Sequence, residues 1–191
     1  MIGTNAVIEN NNMRTQLIAE LENYHTDNAI EQLCIPKFLE LLNEPRCFYR
    51  DCFPAHITGS ALLLSADGDK VLMNHHKSLN MWMQFGGHAD GDEDILAVAI
   101  RETMEESGII AFKPITPNIV DLDIHEIPAN VKKNEPTHFH YDIRYLMRMT
   151  GEQQAIISDE SNALQWMTFE EARTKGDDSL VRYITKAQSI L

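Results

Sequence analysis

The chain has 191 residues and a formal net charge of −13, with 43% hydrophobic and 24% charged residues. This length suits one domain with a sizeable core, and the composition is ordinary for a globular protein. The negative charge argues against a nucleic-acid or anionic-membrane surface, because both require a basic patch. A phosphorylated small substrate is compatible with it, since bound metal ions reverse the local field.

The cysteines and the start of the chain indicate a reducing compartment. Cys34, Cys47 and Cys52 make an odd count without metal-ligand spacing, so reduced thiols in a cytoplasmic protein are the simplest interpretation. The opening residues lack the basic and apolar segments of a signal peptide, and no apolar run is long enough to span a bilayer. We therefore expect a cytoplasmic protein that binds neither membranes nor nucleic acids.

The first quarter of the chain is predicted to be helical. Residues 1–12 are polar and are expected to form a frayed end. Residues 13–24 place apolar side chains at helical spacing. A second helix is expected to begin at residues 27–28 and to be interrupted at Pro36, which opens a short third helix. The side chains that this second helix is expected to bury are Ile30, Leu33 and Cys34.

We interpret residues 1–54 as a helical extension and residues 55–191 as the catalytic domain. The extension indicates no chemistry of its own. We expect it to pack on the catalytic domain or on a second subunit, and the second arrangement makes a homodimer possible. The catalytic domain begins with a predicted hairpin whose turn lies at residues 66–69. Strand-like runs cover residues 57–65, 71–75 and 81–85.

The segment from Gly86 to Ile109 combines a glycine turn, an acidic loop and one amphipathic helix. On that helix Glu102, Glu105 and Glu106 stand at i, i+3 and i+4, so their carboxylates share one face. Like charges this close repel each other. A bound divalent cation removes the conflict, since carboxylate oxygens are the ligands that Mg²⁺ and Mn²⁺ prefer. The alternative is a solvated acidic face, but the glycines at both ends and the apolar run over residues 95–100 favour a site.

This segment resembles the signature of the Nudix hydrolase family, G-x5-E-x7-R-E-U-x-E-E-x-G-U, in which U is bulky and apolar. The matching residues are Gly87, Glu93, Arg101, Glu102, Glu105, Glu106, Gly108 and Ile109. The departure is Thr103 at the first U position. Threonine is close to valine in shape, so we expect helix packing to absorb the change. The resemblance implies an α/β fold, an α/β/α sandwich with a mixed β-sheet, and the pattern of strands and helices predicts the same class.

The resemblance also implies a reaction, in which water attacks phosphorus in a compound that links a nucleoside diphosphate to another group. The implied cofactor is Mg²⁺ or Mn²⁺. The implied metal ligands are Glu105, Glu106 and the backbone carbonyl of Gly86. Glu102 is either a further ligand or the base that orients the attacking water, and both roles stay open. Arg101 is expected to orient a motif glutamate by a charge-assisted hydrogen bond, and Glu93 to be the structural partner of that arginine.

Two later segments alternate apolar with titratable side chains, as strands with one polar face do. Their polar residues are Asp121, Asp123 and His125 in the first, and His138, His140, Asp142 and Arg144 in the second. His88 in the glycine turn is a candidate for contacting a phosphate, and His140 and Asp142 are further substrate-binding candidates. The alternative for these strand residues is a hydrogen-bonded polar surface. Asp142, Glu135 and Glu160 are candidates for an acidic group from outside the motif.

The substrate is not identified beyond a phosphorylated small molecule. Phe139, Tyr141, Tyr145 and Trp166 are able to stack a nucleobase, but aromatic residues at alternating strand positions are more typical of a core. The groups on either side of the pyrophosphate are read by loops outside the motif.

Two other functions fit the same fold. A catalytically silent Nudix domain acts as a nucleotide sensor or binding module, but such proteins usually lose part of the glutamate set, which this chain keeps whole. Isopentenyl diphosphate isomerase depends on a catalytic cysteine near the start of the site, where residues 82–87 read WMQFGG, so we reject it. The sequence therefore predicts a metal-dependent pyrophosphohydrolase, with the sensor as the alternative.

Overall fold

The computed structural model describes the backbone of residues 3–131 and 134–191, and the side chains of residues 13–131 and 134–191. The helices are α1 (Gly3–Glu22), α2 (Ala29–Leu41), α3 (Ile95–Ser107), α4 (Phe169–Arg173) and α5 (Asp178–Ile190). The strands are β1 (Ala55–Leu64), β2 (Lys70–His76), β3 (Met81–Met83), β4 (Phe85–His88), β5 (Phe112–Pro114), β6 (Asp121–Ile127), β7 (His138–Met149) and β8 (Ser161–Thr168). No helix in this described part is long and apolar enough to cross a membrane.

Within the described residues the strands join one sheet, in the order β3-β2-β1-β7-β5, with β4 paired to β1, β6 to β7 and β8 to β2. The predicted hairpin of β1 and β2 is present, with Leu64 opposite Val71. A capping box starts α4, because the Thr168 hydroxyl accepts from the Glu171 N–H and the Glu171 carboxylate accepts from the Thr168 N–H. The sheet and its helices confirm the α/β fold class.

The chain folds into two compact units, of which the second contains Ser60–Gly87, Ala99–Asp121 and Arg144–Leu191. Its core joins side chains of β1, β2, β7 and β8 with the inner face of α5. The buried members on α5 stand at helical spacing and are Leu180, Tyr183, Ile184 and Ala187. The Tyr183 hydroxyl accepts from the Leu62 N–H (2.9 Å) and donates to the Tyr145 carbonyl. Helix α5 is therefore bonded as well as packed against the sheet.

A buried carboxylate strengthens this second unit. Asp121 is fully buried, and its oxygens accept hydrogen bonds from Arg144 (3.1 Å) and from Arg182 (2.8 and 2.9 Å). Lys186 lies 4.0 Å away. The two guanidiniums satisfy the carboxylate that burial has removed from water, so this polar residue of β6 serves the fold.

The first unit contains the helical front up to Gly59 together with His88–Val98 and Leu122–Ile143. A fully buried carboxylate again organises it. Glu31 on α2 accepts hydrogen bonds from the Tyr24 hydroxyl (2.6 Å), the Thr26 hydroxyl (2.6 Å) and the backbone N–H of Leu122 on β6 (3.2 Å). Two of these bonds are local, and the third comes from a residue 91 positions along the chain, so Glu31 holds α2 against β6.

The structure corrects the sequence prediction for the front. Helix α1 begins at Gly3 and residues 1–2 lie outside the described residues, so residues 3–12 are helical where a frayed end was expected. The prediction that Pro36 interrupts the second helix is wrong, since α2 continues through it to Leu41. The side chains of Ile30 and Leu33 are 55% and 67% exposed, not inward. Cys34 is buried as expected, because the face that α2 buries consists of Glu31, Cys34 and Phe38, and the two exposed side chains lie off that face.

The front is bonded to the rest of the first unit at several points. Arg14 pairs with Glu93 (2.7 Å), and the N–H of Ile57 donates to the Cys47 carbonyl (2.7 Å). The ring of Phe38 meets that of Tyr141 edge-on, with centroids 5.1 Å apart. The expected packing on segments of the catalytic part is therefore present, whereas the proposed boundary between residues 54 and 55 stays a prediction.

Candidate functional site

Helix α3 begins and ends where the motif predicts. The carboxylate of Asp94 accepts a hydrogen bond from the Ala97 N–H (3.0 Å) and so caps the first turn. At the other end the N–H of Gly108 donates to the Met104 carbonyl (2.9 Å). Gly108 has a φ of +67°, which favours glycine, so it ends the helix as the expected C′ residue.

The departure from the family pattern, Thr103, is absorbed inside the helix. Its side chain is fully buried, and its hydroxyl donates to the Ala99 carbonyl at 2.7 Å. Ser107 repeats this arrangement one turn later, with its hydroxyl 2.5 Å from the Thr103 carbonyl. Both buried hydroxyls are satisfied by the turn that precedes them, so an apolar residue is not required at this position.

The carboxylate of Glu102 lies directly against the glycine turn. A Cβ atom added at Gly87 would stand 2.5 Å from Glu102 Cδ and 2.6 and 2.7 Å from its carboxylate oxygens, distances that real Cβ contacts do not show. The absence of a side chain at Gly87 therefore allows the Glu102 carboxylate to approach the backbone this closely. The guanidinium of Arg101 donates to Glu102 Oε1 at 2.7 Å, so Arg101 contacts a motif glutamate as expected.

Glu106 is the most deeply buried glutamate of the motif, at 7% exposure. Its Oε2 accepts a hydrogen bond from the Gly86 N–H (3.0 Å), and its Oε1 lies 3.3 Å from the side-chain nitrogen of Asn74 on β2. Burial, with the charge of Glu102 adding to it, raises the pKa of Glu106 to about 8. Burial also raises the pKa of Glu102, against the lowering effect of Arg101.

Two further carboxylates contribute to this site. The side chain of Glu105 is 60% exposed, and Arg101 approaches it at 3.4 Å. The charge of Glu160, just before β8, raises the pKa of both Glu102 and Glu106, so it lies close enough to act on them. Carboxylates that are this poorly neutralised fit a divalent cation, because a cation supplies the missing charge and binds oxygen ligands. The donor set present therefore fits the metal that the motif implies.

The prediction for Glu93 is wrong. Its carboxylate oxygen Oε1 accepts two hydrogen bonds from the guanidinium of Arg14 on α1, at 2.7 and 3.1 Å, whereas Arg101 donates to Glu102. Glu93 lies in the segment before α3 that belongs to the first unit. The signature residue thus has a structural partner from the helical front, which no family pattern specifies.

The polar side chains of β7 are mostly buried and do not form an exposed polar surface. His138 and Asp142 are buried at 3% exposure, while Phe139 between them is 39% exposed. In the first unit, His138 and His140 join His56 and His88 in a cluster of imidazole rings. The centroid distances are 5.1 Å for His56–His88, 5.0 Å for His56–His138, 4.8 Å for His56–His140, 5.0 Å for His88–His140 and 5.3 Å for His138–His140.

Burial keeps most of this histidine cluster neutral. It lowers the pKa of His56, lowers that of His88 to about 4 and lowers that of His140 to about 2. The charge of Arg50 adds to the effect on His88, and the neighbouring histidines add to the effect on His140. Neutral imidazoles donate and accept hydrogen bonds or bind metal ions, but they do not attract anions by charge.

The acidic candidates outside the motif and the aromatic side chains have different surroundings. Asp142 accepts a hydrogen bond from the buried Thr58 hydroxyl (3.0 Å). Glu135 forms an isolated backbone bridge with Asn130. Tyr145 is buried, and Trp166 lines an open surface cavity of about 660 Å³ in the second unit. The core interpretation thus fits Tyr145, while the other aromatic side chains are partly exposed.

Sequence reasoning missed Asn74 and His56. Asn74 is fully buried beside Glu106, and the signal for it is a lone polar residue in the middle of an apolar strand. His56 is 1% exposed and is the second residue of β1, shortly after the cis peptide between Phe53 and Pro54. A single histidine at the start of a strand carries no spacing signal, so only the fold brings it to His138 and His140.

Comparison with known proteins gives consistent matches. A family model described as NUDIX domain matches residues 55–187. Over 147 residues the chain is 31% identical to a probable DHNTP pyrophosphohydrolase of Lactococcus lactis subsp. cremoris, a match that covers 77% of this chain and 86% of that protein.

Solved structures show the same fold. The chain resembles a Caenorhabditis elegans Ap4A hydrolase in a binary complex with a TM-score of 0.57 at 17% identity, over 70% of this chain and 95% of that one. It resembles a NUDIX-family hydrolase of Clostridium perfringens with a TM-score of 0.51 at 23% identity, over 71% and 98%. At these identities the likeness concerns the fold alone.

Proposed function

The chain belongs to the NUDIX domain family and is a pyrophosphohydrolase, and from that premise we propose that it hydrolyses a nucleoside diphosphate-linked small molecule with Mg²⁺ or Mn²⁺ bound at the α3 glutamates. The observation that carries the proposal is the burial of Glu106. Its carboxylate accepts a hydrogen bond from the Gly86 N–H, and the negative charges of Glu102 and Glu160 raise its pKa further. A carboxylate with a pKa near 8 ionises fully at neutral pH once a cation is bound next to it.

We assign the residues as the motif implies. Glu105, Glu106 and the Gly86 carbonyl hold the metal, whose chemistry is to neutralise the pyrophosphate and to lower the pKa of bound water. Glu102 is a further ligand or accepts the proton of the attacking water, and Arg101 holds its carboxylate in place (2.7 Å). Glu160 is the acidic group from outside the motif that the electrostatics favour.

The substrate proposal has two branches. The first is a nucleoside diphosphate derivative such as a nucleotide sugar or ADP-ribose. The second is dihydroneopterin triphosphate, because the Lactococcus relative is a probable DHNTP pyrophosphohydrolase at 31% identity. Of the proposed substrate-binding histidines, the half-buried His88 is neutral and would contact a substrate by hydrogen bonding. Asp142 already bonds Thr58, and His140 Nε2 is buried, so both are weaker candidates.

The test is a phosphate and pyrophosphate release screen with Mg²⁺, with Mn²⁺ and with a chelator. It covers nucleoside triphosphates, dinucleoside polyphosphates, ADP-ribose, nucleotide sugars and dihydroneopterin triphosphate. Glu106→Gln is the inactivating variant, and Glu126→Gln, an exposed glutamate outside the motif, is the matched control. We expect metal-dependent turnover that is lost in Glu106→Gln and kept in Glu126→Gln. Full activity in Glu106→Gln would overturn the site assignment.

The alternative of a ligand sensor makes a different prediction in the same screen. A sensor binds one of these compounds with micromolar or better affinity in isothermal titration calorimetry and turns none of them over with either metal. The complete glutamate set favours the enzyme, since binding alone does not require it.

A further inference from the structure

A second kind of metal-ligand set lies in the first unit, built from nitrogen rather than oxygen. His56, His138 and His140 each present one ring nitrogen, and these atoms all lie within 4.8 Å of one another. His56 is the second residue of β1, while His138 and His140 stand two residues apart on the same face of β7. The set is separate from the α3 glutamates, which belong to the other unit.

The ring orientations determine which nitrogen each histidine offers. Nδ1 of His56 lies 3.2 Å from the Cys52 carbonyl, and Nδ1 of His138 lies 2.8 Å from the Pro136 carbonyl. A carbonyl only accepts, so each Nδ1 carries the proton and each Nε2 keeps its lone pair. Backbone carbonyls that orient an imidazole in this way are the usual support of a metal-ligating histidine.

Two of the three Nε2 atoms have no protein partner for that lone pair. Nε2 of His56 and Nε2 of His140 are buried and form no hydrogen bond with the described residues. His56 itself is 1% exposed. A buried polar atom without a partner is destabilising, and a metal ion held between the rings removes that penalty for several atoms at once.

From this geometry we propose that the protein binds a transition-metal ion of the Zn²⁺ class through the Nε2 atoms of His56, His138 and His140. Imidazole nitrogen suits Zn²⁺ and its neighbours in the d-block, whereas Mg²⁺ prefers oxygen. Zn²⁺ holds nitrogen ligands at about 2.0–2.1 Å in tetrahedral geometry, so its ligand atoms lie about 3.3 Å apart. Binding therefore draws the three rings together by side-chain rotation.

The surroundings fit an ion with an open coordination position. Three protein nitrogens leave the fourth tetrahedral position to water, to an anionic ligand or to the neighbouring His88, whose ring centroid lies 5.1 Å from that of His56 and 5.0 Å from that of His140. The ligands are also ready without deprotonation, because burial keeps the imidazoles of His56 and His140 neutral. The inference does not depend on the proposed hydrolysis, since none of these residues belongs to the glutamate motif.

The experiment uses full-length protein that is first stripped with a chelator and then titrated with Zn²⁺ in excess Mg²⁺, so that the carboxylate site is already occupied. We expect one Zn²⁺ per chain and an X-ray absorption spectrum whose first shell contains imidazole nitrogens at about 2.0 Å. Affinity should fall at least about 100-fold in His138→Gln, more than loss of a supporting hydrogen bond produces. The control His25→Gln, an exposed histidine outside the cluster, should bind like wild type, as should Glu106→Gln.

Each outcome decides the proposal. An oxygen-dominated shell, displacement of Zn²⁺ by Mg²⁺, or loss of Zn²⁺ in Glu106→Gln would place the ion at the glutamates and overturn it. Equal affinity in His138→Gln and wild type would overturn it as well. If His138→Gln does not fold, the wild-type absorption spectrum and a Zn²⁺-dependent rise in Tm that persists in Glu106→Gln still decide the question.

Discussion

Replacing Gly87 by alanine tests directly whether Glu102 acts from its position against the glycine turn. The added Cβ would stand about 2.6 Å from the Glu102 carboxylate oxygens, whereas ordinary contact begins at 3.4 Å, so the carboxylate must retreat by about 0.8 Å. Misplacement of a catalytic group by about 1 Å lowers the rate on the order of 10²-fold, which corresponds to about 2.7 kcal/mol of transition-state stabilisation. We therefore expect kcat/KM of Gly87→Ala to fall about 100-fold at saturating metal.

The matched control for this substitution is Gly151→Ala. A Cβ at Gly151 meets no atom within 4 Å, so this variant should keep wild-type activity. The assay is steady-state hydrolysis of the best substrate from the screen, together with a thermal melt of each variant to establish that it is folded. If folded Gly87→Ala keeps activity within twofold of wild type, Glu102 does not act from the position described, and the reasoning fails.

Three further predictions concern stability. Asp121→Asn should lower the free energy of unfolding by about 3–5 kcal/mol in chemical denaturation, because it leaves buried cations without their partner. Asp51→Asn removes a partner from an exposed ion pair and should have a far smaller effect, so equal effects of the two substitutions would contradict the argument. The pKa of histidine is about 6.5 in the unfolded chain and about 4 for His88 in the folded protein, so the unfolded state binds the proton first as pH falls. The free energy of unfolding should therefore drop by about 2 kcal/mol between pH 7 and pH 5 because of this residue. His88→Asn, measured in chelator, should lose that share of the pH dependence, and an unchanged profile would refute it. Removal of residues 1–45 should cause aggregation or a change of oligomeric state, measured by light scattering. A soluble, active product with the oligomeric state of the full chain would disprove the packing role of the front.

The sequence could predict the site because its pattern is local. Three of the four motif glutamates lie on one helix, and the spacing of Glu102, Glu105 and Glu106 places them on one face before any tertiary contact is known. The glycine positions also follow from local structure, since Gly87 lies in the turn before the helix and Gly108 ends the helix with a positive φ. The hairpin of β1 and β2 and the capping box at Thr168 follow from equally short-range rules.

The misplaced residues of α2 and the missed histidine cluster both come from contacts between distant parts of the chain. The buried face of α2 includes Glu31, which bonds a backbone N–H of β6. A rule that turns apolar residues inward therefore misplaces Ile30 and Leu33. The histidine cluster is invisible for the same reason, because His56 meets His138 and His140 only after β1 and β7 are paired. Spacing along the sequence does not encode which strand lies beside which.

The hydrogen bond from the Leu122 N–H to Glu31 makes the catalytic part depend on a residue of the helical front. Its family likeness begins at residue 55, yet the carboxylate that satisfies the Leu122 N–H comes from well before that point. An expression fragment that starts at the edge of the likeness would remove this acceptor for the β6 amide, and it would also remove the partner that Glu93 has in Arg14. A relative without such a front needs a different acceptor at this point of β6.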